Sequence, residues 1–502
     1  MPSVSTTQNG ASRWPRQLPK AFGPAPYDAR SKDVASKAQR AKQTSQSSAP
    51  GSVTKLPPAN GDYFQAVSVS QLDLSTSSSA ACPVLSSLPM SVESQACCFF
   101  FSNYPSQPSK NFGSVYEDMP ALYYLESPDS PLQYIVTALG LAGMSHHTDT
   151  SGMEVAGGAW YYKALNTVNK SLRDRELVKL DQTLLVVLLL GLYEINTCST
   201  SKSMKSWLNH IKGATALLDL RGEEQLNSEF GRALFIQART QIISGCYQTR
   251  SPVPDIVVQL SRKCHERSSD PVEGLILIVF HFCSIRAQTP FCPPSTQAEV
   301  TTRATISRFT SISQALANWH DSLPAAFIPS TVFIGRASSE TLSEYYYLYE
   351  DIWTAAIANN YRANSILVHE ALISQLQFLR DHYTNDMDEL LELEDQISHS
   401  CRTILSLIDA VCASVPSLLQ SNFAAAGVGL LWVLYVCAQI SPRTAPLHDA
   451  TRSWIIGRLE KIGAEMGVRQ ATTLAGFLHK QIEVTDLLHD GSLWKDGLNS
   501  RL

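Results

Sequence analysis

The sequence predicts an all-α protein, an irregular multi-helix array that follows a disordered N-terminal region. From about residue 94 onward, apolar residues recur at helical spacing in one segment after another, and connections containing Pro, Ser and Asp separate these segments. No β-type alternation persists, and no strand–helix–strand rhythm or fixed repeat period is present. These observations exclude a parallel sheet and argue against a regular solenoid.

Composition separates an N-terminal head from the rest of the chain. The chain has 502 residues, of which 44% are hydrophobic, and this is ample for a large core. The formal net charge is −5, but residues 1–60 carry +7, so the remainder carries −12. The head is rich in Pro, Ser and Gln and cannot bury enough apolar surface to offset its chain entropy. We predict a disordered, basic and then Ser-rich head over 1–93, a helical domain over 94–490 and a tail over 491–502.

A basic N-terminal segment on an acidic body is often seen in proteins that bind nucleic acid. The alternative interpretation of this segment is a disordered tail that only keeps the protein soluble. Lys and Arg side chains neutralise phosphates and so bind DNA without reading its sequence. The candidates for weak DNA contact are Arg13, Arg16, Lys20, Arg30, Lys32, Lys37, Arg40 and Lys42.

The helical pattern begins with an aromatic cluster at 97–101, which we expect to dock a short helix onto the main body. The segment 182–197 is apolar on nearly all sides, with Asp181 as its predicted cap, so this helix should be central. The predicted helices span about 130–145, 155–173, 182–197, 207–222, 229–247, 254–266, 271–287, 297–321, 340–380, 386–413, 423–440, 447–466 and 470–488.

The most informative stretch runs from Trp207 to Gly222. At helical spacing, Trp207, Ile211 and Leu218 share one face, and Gly213 with Ala214 leaves that face shallow enough for close approach of another helix. Gly222 stands where a helix ends in the left-handed conformation, and the preceding arginine places a cation at the negative end of the helix dipole.

The order of residue types here resembles one protein family. Leu-Gly-Leu-Tyr-Glu at 190–194 is followed by a polar gap and then by Trp-x-x-His-x-x-Gly-Ala-x-x-Leu-Leu-x-x-Arg-Gly. This resembles the helical regulatory domain of fungal zinc-cluster transcription factors, and a looser likeness extends to about residue 490. The residues that carry the motif are Tyr193, Glu194, Trp207, His210, Gly213, Ala214, Leu217, Leu218, Arg221 and Gly222. Val433 departs from the pattern, since the family usually has Pro there.

The resemblance implies a nuclear transcriptional regulator of fungal metabolic genes, including secondary-metabolite gene clusters. In the family, DNA is bound by an N-terminal binuclear zinc cluster that needs six cysteines. The first cysteine here is Cys82, so residues 1–81 cannot build that cluster. We therefore expect either a natural clusterless member or a module encoded upstream of Met1. Direct DNA binding should be weak or pass through a partner, with a homodimer or heterodimer as further options. The alternative function is an interaction scaffold that works through a DNA-binding partner.

Other kinds of site have weaker support. The chain contains no G-x-S-x-G elbow, phosphate loop, H-E-x-x-H or G-x-G-x-x-G, so we predict neither an enzyme nor a cofactor. His146, His147 and Asp149 suggest a metal only weakly, because no further ligands stand at the right spacing. The aromatic run 345–347, with Tyr349 and Trp353, could line a small-molecule pocket, although helix packing is the default interpretation.

Two expectations concern particular side chains in the motif. His210 should be a hydrogen-bonded packing residue, and Glu194 could form an ion pair with Arg221 across the two motif helices.

Cysteines and apolar runs bear on the protein's environment. The eleven cysteines lie mostly in apolar surroundings and no signal peptide is evident, which indicates free, buried thiols in a reducing compartment. The longest unbroken apolar run, 423–438, is sixteen residues long. A membrane span needs about 20 residues, so we predict a buried core helix and no membrane association.

Overall fold

The computed structural model describes residues 90–104, 115–147, 151–268, 270–289, 295–420, 424–440 and 444–482. The predicted head and C-terminal tail lie outside the described residues, apart from 90–93. Within these ranges the all-α fold is confirmed. The α-helices are α1 Val92–Asn103, α2 Val115–Leu125, α3 Pro131–His147, α4 Ser151–Ser171, α5 Asp181–Thr197, α6 Ser201–Arg221, α7 Glu229–Thr249, α8 Asp255–Arg267, α9 Pro271–Gln288, α10 Thr296–Asp321, α11 Ile352–Tyr383, α12 Met387–Leu419, α13 Ala424–Gln439, α14 Asp449–Glu465 and α15 Arg469–His479.

Helix α5 is the centre of the array. Thirteen of its seventeen residues are buried, on every side of the helix. Helices α3, α4, α6, α7 and α15 all pack against it. A helix that is apolar all round is stable in water only when neighbours cover every face, so the uniform run of Leu and Val dictates this arrangement.

The aromatic cluster near residue 100 docks α1 as the sequence predicts. Phe100 is fully buried and stacks on Tyr104 at 5.0 Å between ring centroids. Helix α1 approaches α3 so closely that a Cβ on Gly140 would lie 1.9 Å from the carbonyl oxygen of Ala96, so only glycine fits there. Asn196 of α5 donates a hydrogen bond of 2.7 Å to the Tyr104 hydroxyl, which ties this segment to the central helix.

The predicted helix over 340–380 is wrong in its first part. Residues Ser330–Phe333 (β1) pair antiparallel with Tyr345–Leu348 (β2), and α11 begins at Ile352. Asp351 sets that start, because its carboxylate accepts a hydrogen bond of 2.7 Å from the backbone N–H of Thr354. The tyrosine run has high β-propensity, and β2 packs on α12. Strands of four residues are too short for alternation to stand out in the sequence.

A buried ion pair joins α7 to α9. The Arg239 guanidinium binds the Glu273 carboxylate through two hydrogen bonds of 2.6 and 2.8 Å, and both side chains are 2% exposed. Removal of either partner would leave an uncompensated buried charge, which typically costs about 3–5 kcal/mol. The pair links the two helices in the interior.

Apolar helices recur across the fold. Helices α9 and α12 are long and apolar enough to cross a membrane by length and composition, yet 44% and 56% of their most apolar windows are buried inside the protein. Eleven of the sixteen residues of α13 are buried, as expected for a core helix. The packing of all three is that of core helices in a helical array.

The described cysteines are free thiols, and most are buried. Burial raises the pKa of Cys246 to about 12 and that of Cys198 to about 11. These groups therefore stay protonated at neutral pH and act as small apolar side chains.

One buried histidine makes the fold sensitive to acid. His369 of α11 is 6% exposed, and its Nε2 lies 3.1 Å from the Ser313 hydroxyl on α10. Burial first, and then the positive charge of nearby His399, lower the pKa of His369 to about 4.

We expect His369 to weaken the fold as pH falls. Its unfolded-state pKa is about 6.5, so the unfolded chain takes up the proton more readily. Stability is then complete above pH 6.5 and is lost progressively towards pH 4, by up to about 3 kcal/mol from this group. Urea unfolding at pH 7 and pH 4.5 should show a smaller acid loss in His369→Gln than in the wild type. His479→Gln, at an exposed position, is the control. Equal acid losses in His369→Gln and the wild type would contradict the assignment.

Candidate functional site

The motif residues lie on an antiparallel helical hairpin. Helix α5 ends at Thr197 and α6 begins at Ser201, so a connection of three residues turns the chain back on itself. The C-terminal end of α5 therefore meets the N-terminal half of α6, and the last turn of α6 meets the start of α5. This geometry decides which polar side chains of the motif can touch.

At the first end, three polar side chains meet. The Tyr161 hydroxyl of α4 donates a hydrogen bond of 2.6 Å to Glu194 Oε1 and lies 3.1 Å from His210 Nε2. The single hydroxyl proton goes to the carboxylate, so His210 Nε2 donates to the hydroxyl oxygen. Tyr161 also stacks on Tyr193 with 4.5 Å between ring centroids. Burial first, and then the charge of Glu194, raise the pKa of Tyr161 well above its ordinary value, so it remains a donor.

The predicted pairing of Glu194 with Arg221 is wrong. Arg221 binds the Asp181 carboxylate and lies 3.4 Å from the carbonyl oxygen of Leu180. Arg221 is eleven residues beyond His210, which is about 16 Å along a helix, so it lies at the opposite end of the hairpin from Glu194. Asp181 is also not the predicted cap: Leu180 occupies the capping position, and Asp181 is the first helical residue.

The remaining motif residues form the packed seam of α6. Gly213 is buried. Gly222 ends the helix with φ +61° and ψ −156°, so the predicted left-handed helical conformation is wrong in ψ, although the conformation observed is also essentially restricted to glycine. The backbone N–H of Gly222 donates a hydrogen bond to the carbonyl oxygen of Leu218. The buried side chains of the seam are Trp207, Ala214, Leu217 and Leu218. In this arrangement the motif residues hold two helices in register.

A double-mutant cycle tests the reassignment of Arg221. Arg221 and Asp181 have side chains that are 6% and 33% exposed, so we expect a coupling energy of about 1–2 kcal/mol between Arg221→Gln and Asp181→Asn. The matched control pairs Arg221→Gln with Glu194→Gln, whose coupling should be close to zero. Urea unfolding of each single and double variant gives both values. Stronger coupling to Glu194 than to Asp181 would contradict the assignment.

Beside this hairpin lies a cavity of about 760 Å³. Ligand sites typically have volumes of about 300–1,000 Å³. Helices α5, α7, α9, α11 and α13 supply most of its described lining, and Trp207 of α6 contributes as well. Trp207 is thus the motif residue that connects the seam to the cavity.

The aromatic residues proposed from the sequence as a pocket are divided by the structure. Trp353 lines the cavity. The tyrosines of 345–347 form β2. The hydroxyl of Tyr349 accepts a hydrogen bond of 2.7 Å from Arg362 in the interior. The aromatic run in the sequence indicated a pocket, but most of the cavity wall comes from helices that are far apart in the sequence.

The sequence also suggested candidates for DNA contact and for metal binding. The eight basic side chains named as candidates for DNA contact and Asp149 lie outside the described residues. The His146 ring lies against Gly467, where an added Cβ would come within 2.8 Å of it. Over the part of the chain that the structure describes, no group of three His, Cys, Asp or Glu residues is arranged to hold a metal ion.

Comparison with known proteins identifies the segment that contains the motif. Residues 80–249 match the family model described as the fungal specific transcription factor domain. The resemblance read from the sequence is therefore confirmed over these residues, and the match ends where α7 ends. The likeness proposed for residues 250–490 stays a prediction.

A relative of unknown role is also similar. The protein named Uncharacterized protein AN5342, from Emericella nidulans, is 30% identical over 118 residues, which are 24% of this chain and 25% of that protein. The match therefore spans about a quarter of the length of that relative. No solved structure matches the chain.

Proposed function

We propose that this chain, whose residues 80–249 are a fungal specific transcription factor domain, is a nuclear regulator of fungal metabolic genes, including secondary-metabolite gene clusters. The observation that carries the proposal is the match itself, which covers the motif hairpin of α5 and α6. That match supports a role in transcription regulation and argues against an enzyme. The target genes are the further step of the proposal.

The distribution of charge along the chain indicates which part of such a regulator would contact DNA. The chain outside residues 1–60 carries a net charge of −12, and phosphates repel such a surface. The basic head is then the natural place for direct contact, with Arg13, Arg16 and Lys20 among its cations. Contacts of this kind are made to phosphates and do not discriminate between sequences.

The same charge distribution favours a second candidate function. A helical body that repels DNA can act as a co-regulator, bound to a partner that carries the DNA-reading module. That partner would be a second copy of the chain or a different protein.

Titration with duplex DNA separates the two functions. We expect the full chain to bind random and promoter duplexes equally, with Kd on the order of 10⁻⁴–10⁻⁶ M at physiological salt and a steep loss of affinity as salt rises. Replacement of the eight candidate Lys and Arg positions of the head by Gln should abolish this binding, and the same number of Lys or Arg replacements outside the head is the control. An absence of salt-dependent binding would favour the co-regulator. Tight binding that discriminates between duplexes would contradict both accounts of DNA contact.

A further inference from the structure

Helix α7 presents a polar stripe to the cavity. Gln237, Gln241, Ser244 and Gln248 follow one another at intervals of three or four residues, and Thr240 lies three after Gln237 and four before Ser244, which places all five on one face of the helix. All five line the cavity. A stripe of this composition would ordinarily face bulk water, but here other helices stand opposite it.

The walls on either side of the stripe are apolar. Helix α5 contributes leucines such as Leu188 and Leu192, and α13 contributes Val428 and Trp432. Trp432 stacks on Tyr247 of α7 with 5.1 Å between ring centroids and 10° between ring planes. The cavity therefore has a flat aromatic surface beside a row of carboxamides and hydroxyls. Apolar walls with a few convergent polar groups are typical of small-molecule sites.

Three buried polar atoms of the lining residues have no hydrogen-bond partner among the described residues. They are Gln248 Oε1, an acceptor, and two donors, the indole N–H of Trp207 and the Nε–H of Arg239. Trp207 is 4% exposed. These atoms are inaccessible to a water molecule, so they lie within the wall, and the donors and acceptors offered to a bound molecule are the carboxamides and hydroxyls of the stripe.

The charges of the lining exclude an anion. Arg239 is the one cationic side chain in the described lining, and its guanidinium is already bound to the Glu273 carboxylate. Glu350 and Asp351 add carboxylates to the wall. An anionic ligand would find no available counter-charge and would lie near these acids.

We infer that this cavity binds an uncharged, largely apolar small molecule that carries at least one hydrogen-bonding group. The matched domain supplies α5, α6 and α7 as walls, and the helices beyond residue 249 supply α9, α11 and α13. A bound molecule therefore touches both parts of the chain and stabilises their packing. The inference goes beyond the proposed function, because it requires neither DNA nor a partner.

Gly429 offers a way to close the site without disturbing the core. It lines the cavity and is exposed, which places it where the cavity opens. A Cβ added there meets no atom within 4 Å. Gly457 of α14 is also helical with no atom within 4 Å of an added Cβ, and it is not part of the lining. Gly429→Phe therefore narrows the cavity, and Gly457→Phe is its matched control.

Two related dyes test the inference on the full chain. N-phenyl-1-naphthylamine is uncharged, whereas 8-anilino-1-naphthalenesulfonate has the same rings with an added sulfonate. We expect saturable binding of the uncharged dye at one site, with Kd on the order of 10⁻⁵ M. The sulfonate should bind at least about tenfold more weakly, because it brings an uncompensated charge. Fluorescence titration measures both.

The variants locate the binding. Gly429→Phe, and Ala356→Phe from the α11 wall, should weaken the uncharged dye at least about tenfold by overfilling the site, while Gly457→Phe binds like the wild type. Circular dichroism melting checks that each variant is folded. Three results would overturn the inference: unsaturable dye binding, equal binding of the sulfonate, or wild-type affinity in a folded Gly429→Phe or Ala356→Phe. The sulfonate comparison decides the matter with the wild-type chain even if a variant does not fold.

Discussion

The stability of the fold depends on the burial of α5 by neighbouring helices on every side. A helix with buried Leu and Val on every face has no side that tolerates water, so its stability comes from the neighbours that surround it. Helices α3, α4, α6, α7 and α15 supply that cover. Four of these helices belong to the matched domain, and α15 is the last described helix. Helix α5 therefore packs against both ends of the described chain.

The same constraint shapes the candidate sites. Because α6 must return antiparallel along α5, Tyr161, Glu194 and His210 meet at one end, and Arg221 meets Asp181 at the other. The cavity lies where the leucines of α5 face the polar stripe of α7 across open space. A bound apolar molecule would therefore add contacts to a face of the central helix that the protein already buries.

Much of the fold follows from the sequence because helical periodicity is a local signal. Each predicted helix has a counterpart, although α6 begins at Ser201, before the predicted start, and α11 begins after it. A contact between side chains far apart in the sequence leaves no such local pattern. The partners Arg239 and Glu273 are 34 residues apart, and only the crossing of α7 and α9 brings them together. The polar face of α7 looks like a solvated surface in the sequence, and only packing shows that it faces a cavity.

Native-state hydrogen exchange tests the central role of α5 most directly. If α5 is covered on every side, its amides open only when the whole domain unfolds, so their exchange free energies should equal the global free energy of unfolding from urea titration. Amides of the peripheral helix α14, in which five of seventeen residues are buried, should exchange through smaller openings. Exchange of the α5 amides at a lower free energy than those of α14 would contradict the account.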